Sequence, residues 1–249
     1  MKIAVLVKRV PDTETKVKVG ADGKSLDPAG VNFILNPYDE FAIEEGIKLK
    51  EKLGGDVTVL SVGTTDATKE IRTALAMGAD EGILLQVGAP FADAASVADV
   101  LAVKLKEMKP DLILLGKQAV DDDNAALAPY LAEKLGLPCA TVAVALTIDG
   151  TKVLCEREIE GGREKVVLSL PAVVSCQKGL NTPRYASMKG IMAAKKKTIA
   201  EIPTQLGAPK AAVVKMELPP ARAAGRIVGE GPDAVAALVT ALKTEAKVI

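Results

Sequence analysis

DLILLGKQAVDDDNAALAPYL, residues 111–131, decides the fold. Leu112, Ile113, Leu114 and Leu115 form a continuous apolar run, the pattern of a strand buried on both faces of a parallel sheet. Gly116 ends the run, a polar turn comes next, and a helix is predicted from about Asp123 to Leu135. Asp121, Asp122 and Asp123 stand where a helix N-terminus favours negative charge and capping oxygens. In an open α/β sheet, ligands lie in the crevice beyond the carboxyl ends of the strands, and this loop occupies such a position. Two readings stand side by side. Either the aspartates merely cap a surface helix, or free N–H groups of the turn hold an anion such as a phosphate.

Outward from that stretch, strands and helices alternate. Strands are expected at Lys2 to Val7, Val57 to Val62, Gly82 to Gln86 and Cys139 to Ile148, and helices at Asp39 to Leu53, Asp66 to Met77 and Ala94 to Met108. Asn36-Pro37 breaks the chain before the first helix, because the residue before proline avoids helix. Gly54-Gly55 and Gly78 are stop signals. This spacing implies right-handed βαβ crossovers and a doubly wound, mostly parallel α/β sheet of the Rossmann-like kind. No glycine-rich turn succeeds the first strand, so the usual dinucleotide fingerprint of a dehydrogenase is absent.

Two segments depart from the alternation. Thr13 to Leu26 reads as an irregular hairpin. After Asp149-Gly150, Lys152 to Ile159 and Lys165 to Leu170 read as antiparallel strands joined across Glu160-Gly161-Gly162, with a short strand, Ala172 to Cys176, after them. Gln177 to Lys197 reads as loop. Pro203, Pro209, Pro219 and Pro220 interrupt the chain beyond it, and Asp233 to Ala246 reads as a closing amphipathic helix. The expected division is a nucleotide-binding α/β domain over 1–198 and an extended C-terminal arm over 199–249 that wraps a partner. A linker with its terminal helix on its own domain is the alternative.

Composition narrows the function classes. Lysine plus arginine and aspartate plus glutamate both number 32, so the formal charge is zero. A nucleic-acid or polybasic membrane-surface protein would carry an excess. Zero net charge also leaves little self-repulsion, which suits a chain that sits in a complex. No apolar run approaches the ~20 residues that span a bilayer. The apolar run in MKIAVLVKRV is closed by Lys8 and Arg9, so it reads as a first strand rather than a signal peptide. Cys139, Cys155 and Cys176 lack metal-ligand spacing and read as small core residues in a reducing compartment. The absence of histidine removes the commonest general base and any Ser-His or Cys-His arrangement. Chemistry must then come from carboxylates, lysines or a bound cofactor. With no tryptophan and few aromatics, a base-stacking platform is disfavoured.

Six blocks then add up to a resemblance. They are VLVKRVPD at 5–12, NPYDEFAIEEGIKLKE at 36–51, IRTALAMGAD at 71–80, GKQAVDDD at 116–123, EREIEGG at 156–162 and LPAVVSCQKGLNTPRYASMKGIMAAKKK at 170–197. In this order the chain resembles the β subunit of electron-transfer flavoproteins from Met1 to about Lys197. The resemblance implies a heterodimer with an α subunit, FAD held mainly by that subunit, and AMP in a structural role in this one. It implies electrons taken from flavin dehydrogenases, such as the acyl-CoA dehydrogenases of fatty-acid β-oxidation, and passed to a downstream quinone oxidoreductase. Such a protein is a carrier and transforms no organic substrate. Bacterial cytoplasm is the expected location because the chain starts directly at its first strand; the mitochondrial matrix is the alternative.

Residue by residue, the resemblance assigns cofactor contacts to Leu6, Asn36, Pro37, Tyr38, Asp39 and Val62. It also assigns them to the loop of Gly116, Lys117, Gln118, Ala119, Val120, Asp121, Asp122, Asp123, Asn124, Ala125, Ala126 and Leu127. Tyr38 matches an aromatic position close to the flavin ring; a half-buried packing tyrosine is the alternative. One departure matters. Ordinary members place Asn, Gln and Thr after the aspartates, around the AMP phosphate, whereas Ala125, Ala126 and Leu127 stand here. Electron-bifurcating relatives, which bind a second FAD in place of AMP, share the spacing up to Pro129 but not the Thr, Gln and Gly.

Pro183 to Lys197 matches the family's partner-recognition loop. Met188 falls on an apolar anchor, with Tyr185, Ile191 and Met192 beside it, and methionine suits a surface that serves several partners. Glu158 matches a carboxylate that governs release of the mobile flavin domain. Lys195-Lys196-Lys197 either steers acidic partners or is a solvated turn. Besides carrier and bifurcating subunit, a stand-alone nucleotide-binding domain of the universal-stress or ATP-pyrophosphatase kind shares the expected sheet.

Overall fold

The computed structural model describes residues 1–88, 93–222 and 224–249. In chain order the strands are Lys2–Leu6 (β1), Arg9–Pro11 (β2), Phe33–Leu35 (β3), Asp56–Gly63 (β4), Glu81–Gln86 (β5), Leu112–Gly116 (β6), Cys139–Asp149 (β7), Lys152–Ile159 (β8), Gly162–Ser169 (β9), Ala172–Cys176 (β10) and Ile199–Pro203 (β11). The helices are Pro37–Leu53 (α1), Thr68–Met77 (α2), Ala94–Met108 (α3), Leu127–Leu135 (α4), Met188–Lys196 (α5) and Val235–Ala241 (α6).

Local chemistry accounts for the helix ends. Pro37 sits in the first turn of α1, where a missing N–H costs nothing, with Asp39 and Glu40 beside it and Lys50 and Lys52 in the last turn. Gly54, at φ 75°, ends α1 in a backbone conformation that a side chain resists. Asp93 caps α3 by accepting from the Ser96 N–H at 3.0 Å.

Among the described residues, nine strands form one sheet in the order β11-β5-β4-β1-β6-β10-β7-β8-β9. The run from β11 to β7 is parallel, and β8 and β9 extend it antiparallel. Along β1, Ile3 and Val5 face a core shared with α1 and α2, while Ala4 and Leu6 face a second core shared with α3 and α4. Helices therefore cover both faces, which is why β1 and β6 are apolar throughout. From β1 the chain builds outward through β4 and β5, then returns to place β6 on the other flank of β1. Strand order reverses between β1 and β6, and the crevice opens at their carboxyl ends. Among the described residues, no helix is long and apolar enough to cross a membrane.

Several expectations change. The helix expected from Asp123 begins at Leu127, because Asp123 and Ala125 take left-handed backbone, φ 49° and 50°, and hold the chain out of a helical path. The hairpin expected over Thr13 to Leu26 reduces to one bridge, Val19 to Leu26; the ladder there is β2 with β3. The segment Gln177 to Lys197, read as loop, contains α5. Ile199 to Pro203, read as the start of the arm, is the parallel edge strand β11, with Pro203 at its end where a missing donor is tolerated. The closing helix is short. Pro232–Ala234 is a tight turn, α6 comes after it, and Leu242–Ala246 winds wider, with no residue buried.

Leu114, fully buried at the centre of the sheet, tests this core. Leu114→Ala should lower unfolding free energy by ~2–5 kcal/mol in urea titrations of the purified chain; a loss below ~1 kcal/mol would contradict the packing described.

Candidate functional site

The crevice is built around Asp39, in the first turn of α1. Its carboxylate accepts from the backbone N–H of Lys8, just beyond β1, at 2.7 Å. It also accepts from the N–H of Gly116, at the end of β6, at 3.0 Å, and from Asn36 Nδ2 at 2.9 Å. One buried group thus joins both strands that flank the reversal to the helix between them. Burial pushes the Asp39 carboxyl up to about 7, against the opposing pull of Asn36, Lys8 and Gly116. Gly116 is required here, since a Cβ would lie 2.4 Å from Asp39 Oδ1 and 2.7 Å from Tyr38 Cβ. Asn36 extends the network, donating from Nδ2 to the Gln118 carbonyl at 2.9 Å and accepting from the Val120 N–H at 3.2 Å.

The loop after β6 is fixed by its own polar groups. The Lys117 N–H donates to the Cys176 carbonyl of β10 at 2.9 Å, and Lys117 Nζ lies 5.2 Å from the centre of the half-buried Tyr38 ring. Lys8 Nζ pairs with Asp121 at 2.7 Å and Asp122 at 3.0 Å. Gln118 Nε2 donates to Asp123 at 2.6 Å, and Asn124 Nδ2 to Asp122 at 3.0 Å. The aspartates are therefore occupied by Lys8, Gln118 and Asn124 and do not cap α4, whose N-cap is Ala126 without a side-chain bond. The first-turn N–H groups of α4 are left without that cap. Leu6 and Val62, at the ends of β1 and β4, add apolar surface on the α3–α4 side. Ala126 also rims a surface depression of about 260 Å³ with Pro129, Tyr130 and Glu133.

A second locus lies on the α1–α2 side. Tyr185 is 98% exposed, Met188 77%, Met192 56% and Ile191 37%. They form an apolar patch held from both ends. Arg184 pairs with Glu44 and Glu51 of α1, and Asn181 donates to Glu45 at 2.9 Å and to the Phe41 carbonyl at 3.0 Å. On the other side, Ser187 caps α5, and Gly190 lets α5 close onto α2, where a Cβ would meet the Ala76 carbonyl at 2.3 Å. Arg72 bonds the Lys197 carbonyl at 3.1 Å. Glu158, at the end of β8, lies 3.4 Å from Gln177 Nε2.

The structure thus gathers Leu6, Asn36 to Asp39, Val62 and the 116–127 loop at one crevice, and Tyr185, Met188, Ile191 and Met192 on one patch. Sequence reasoning missed the Lys8 pairs and the Arg184 clamp. The available signal was Glu44-Glu45 on the core-facing side of a helix, where paired carboxylates need partners. Among the described residues no cluster could hold a metal ion.

The electron transfer flavoprotein domain family matches residues 24–206. The chain is 43% identical to the electron transfer flavoprotein subunit beta of Bacillus subtilis across all of both chains. It is 45% identical to that of Syntrophomonas wolfei, over 95% of this chain and 93% of the relative. It is 44% identical to the human protein of the same name, over 96% of each.

The buried Asp39 makes a pH test. Between its ordinary value of 3.8 and about 7, the folded state holds a proton that the unfolded chain has released. Its contribution to stability is therefore full below about 4 and lost as pH rises through about 7. Wild type should lose stability relative to Asp39→Asn across that window, by up to ~1.4 kcal/mol per pH unit. Urea midpoints measured on both proteins would test this; parallel pH profiles would exclude it.

Proposed function

Because the chain belongs to the electron transfer flavoprotein β-subunit family, we propose that it works as a redox carrier with an FAD-binding α subunit, taking electrons from flavin dehydrogenases such as acyl-CoA dehydrogenases and delivering them to a quinone oxidoreductase. Family membership sets aside the stand-alone nucleotide-binding domain. FAD supplies the one- and two-electron chemistry when bound. The residues of this chain bind, orient and dock.

The observation that carries the reading is the crevice organised by Asp39 at the β1–β6 reversal. It fits an adenine nucleotide in three respects. Leu6 and Val62 offer apolar surface to a base, and the Asp121–Asn124 turn offers acceptors to ribose hydroxyls. The N-terminus of α4, uncapped by any side chain, offers N–H groups and a favourable dipole to a phosphate. Lys8 offsets the charge of Asp121 and Asp122 there. AMP in this crevice would tie α4 to the ends of β1 and β4. Tyr38, beside Lys117, is the residue we assign to the flavin. The exposed patch of Tyr185, Met188, Ile191 and Met192 is the docking surface for donors, and Glu158 is a charge whose ion pairs with the flavin domain form and break easily.

A second reading has its own observation. Ala125, Ala126 and Leu127 place no polar side chain at the start of α4, so a phosphate there has backbone N–H groups and Asn124 alone. This favours a second FAD in place of AMP, in a subunit that splits electrons from NADH between two acceptors. Nucleotide content decides between them. The complex co-expressed with its α subunit would be denatured and its nucleotides counted by chromatography. One FAD and one AMP per heterodimer supports the carrier; two FAD and no AMP supports the bifurcating subunit.

Met188→Ala should weaken electron uptake from dehydrogenases about tenfold in kcat/KM, ~1.4 kcal/mol, with flavin content intact. Unchanged transfer kinetics would remove the anchor role. Glu158→Ala should slow turnover with little change in docking affinity; a collapse of affinity at constant rate would contradict it.

A further inference from the structure

The residue next to the docking patch is its most heavily tied. Arg184 Nε and one terminal nitrogen bond Glu44 at 2.8 and 3.1 Å, and its terminal nitrogens bond Glu51 at 2.6 and 2.9 Å. Its backbone N–H donates to Glu44 at 3.1 Å as well. The planar fork of a guanidinium matches two carboxylates at once, which a lysine cannot do. Glu44 is buried, so the clamp is anchored to the body of α1. Yet the next side chain, Tyr185, is almost wholly exposed, and Met188 is three-quarters exposed. The fold buries nothing large immediately after the clamp. The clamp therefore fixes the path of the backbone that leads into an exposed apolar surface.

We propose that Arg184, held by Glu44 and Glu51, is a positioning residue that presets residues 185–192 in their docking conformation before a partner arrives. An apolar patch ordered in advance avoids paying its ordering entropy on association. The clamp acts through the backbone of Tyr185 and its neighbours. This rests on the reading of the patch as the donor-docking surface.

The test uses the complete complex of both subunits with Arg184→Met, Arg184→Lys, Glu51→Gln and Met188→Ala. Amide hydrogen exchange of residues 185–192 is the first readout and needs no donor. The second is reduction by an acyl-CoA dehydrogenase loaded with its acyl-CoA. Arg184→Met should speed exchange of 185–192 and raise KM for the dehydrogenase, each by about tenfold, with kcat within about twofold and FAD content unchanged. Arg184→Lys, which keeps the charge and loses the fork, should fall between. Glu51→Gln removes only the solvent-side partner, so it keeps the test decisive if Arg184→Met does not assemble; about a threefold change in the same direction is expected. Unchanged exchange over 185–192 in the assembled variants would overturn the proposal, as would a fall in kcat at constant KM. A higher KM in Met188→Ala but not in Arg184→Met would keep the docking reading and overturn the clamp. No change in Met188→Ala would overturn the docking reading, and the proposal with it.

Discussion

A single buried carboxylate sets the geometry on which the crevice depends. Asp39 is only 5% exposed, and an ionisable group in that position is tolerable only where donors converge on it. Those donors come from the end of β1, the end of β6 and the residue that opens α1. Removing the carboxylate would leave the N–H groups of Lys8 and Gly116 without their acceptor. Each would then carry a desolvation penalty of ~1–3 kcal/mol. The glycine at 116 has the same cause, because the carboxylate occupies the space a side chain would need.

From that point α1 works as a common axis. Its first turn carries Asp39, which organises the crevice, its middle carries Glu44 and Glu45, and its last turn carries Glu51; these three glutamates hold the segment leading to the exposed patch. The bases of the two loci also meet directly, through the bond from the Lys117 N–H to the Cys176 carbonyl. One helix therefore joins the two loci, with the Asp39 network at its first turn and the Arg184 clamp further along it.

The alternation of strands and helices, both buried central strands and the antiparallel extension were legible in the sequence because periodicity reports burial directly. The place of the crevice was legible for a related reason, since strand order sets where it opens. The failures have physical causes. Asp121 to Asp123 carried the composition of a helix cap, but Lys8, brought in from beyond β1, and Gln118 and Asn124 of the same loop took their oxygens. In α5, Gly190 lowers helix propensity and the apolar side chains face outward, so no core-facing stripe marks it. The strand β11 has one edge unpaired and a proline at its end, which weakens every local strand signal. The Arg184 clamp joins residues 133 and 140 positions apart, a distance over which local pattern says nothing.

The position of β10 has a consequence for how the chain assembles during synthesis. It is the tenth strand in sequence yet lies between the sixth and the seventh, which do not touch each other without it. Until residue 176 has left the ribosome, β6 keeps an open hydrogen-bonding edge, and β7 with its hairpin has no attachment to the rest of the sheet. The edge of β5 stays open longer still, until β11 emerges. Non-local pairings of this kind are slow and expose apolar edges while they wait. A nascent chain of this fold therefore carries unpaired strand edges through most of its synthesis, and a truncation before β10 leaves β6 and β7 without the strand that pairs with both.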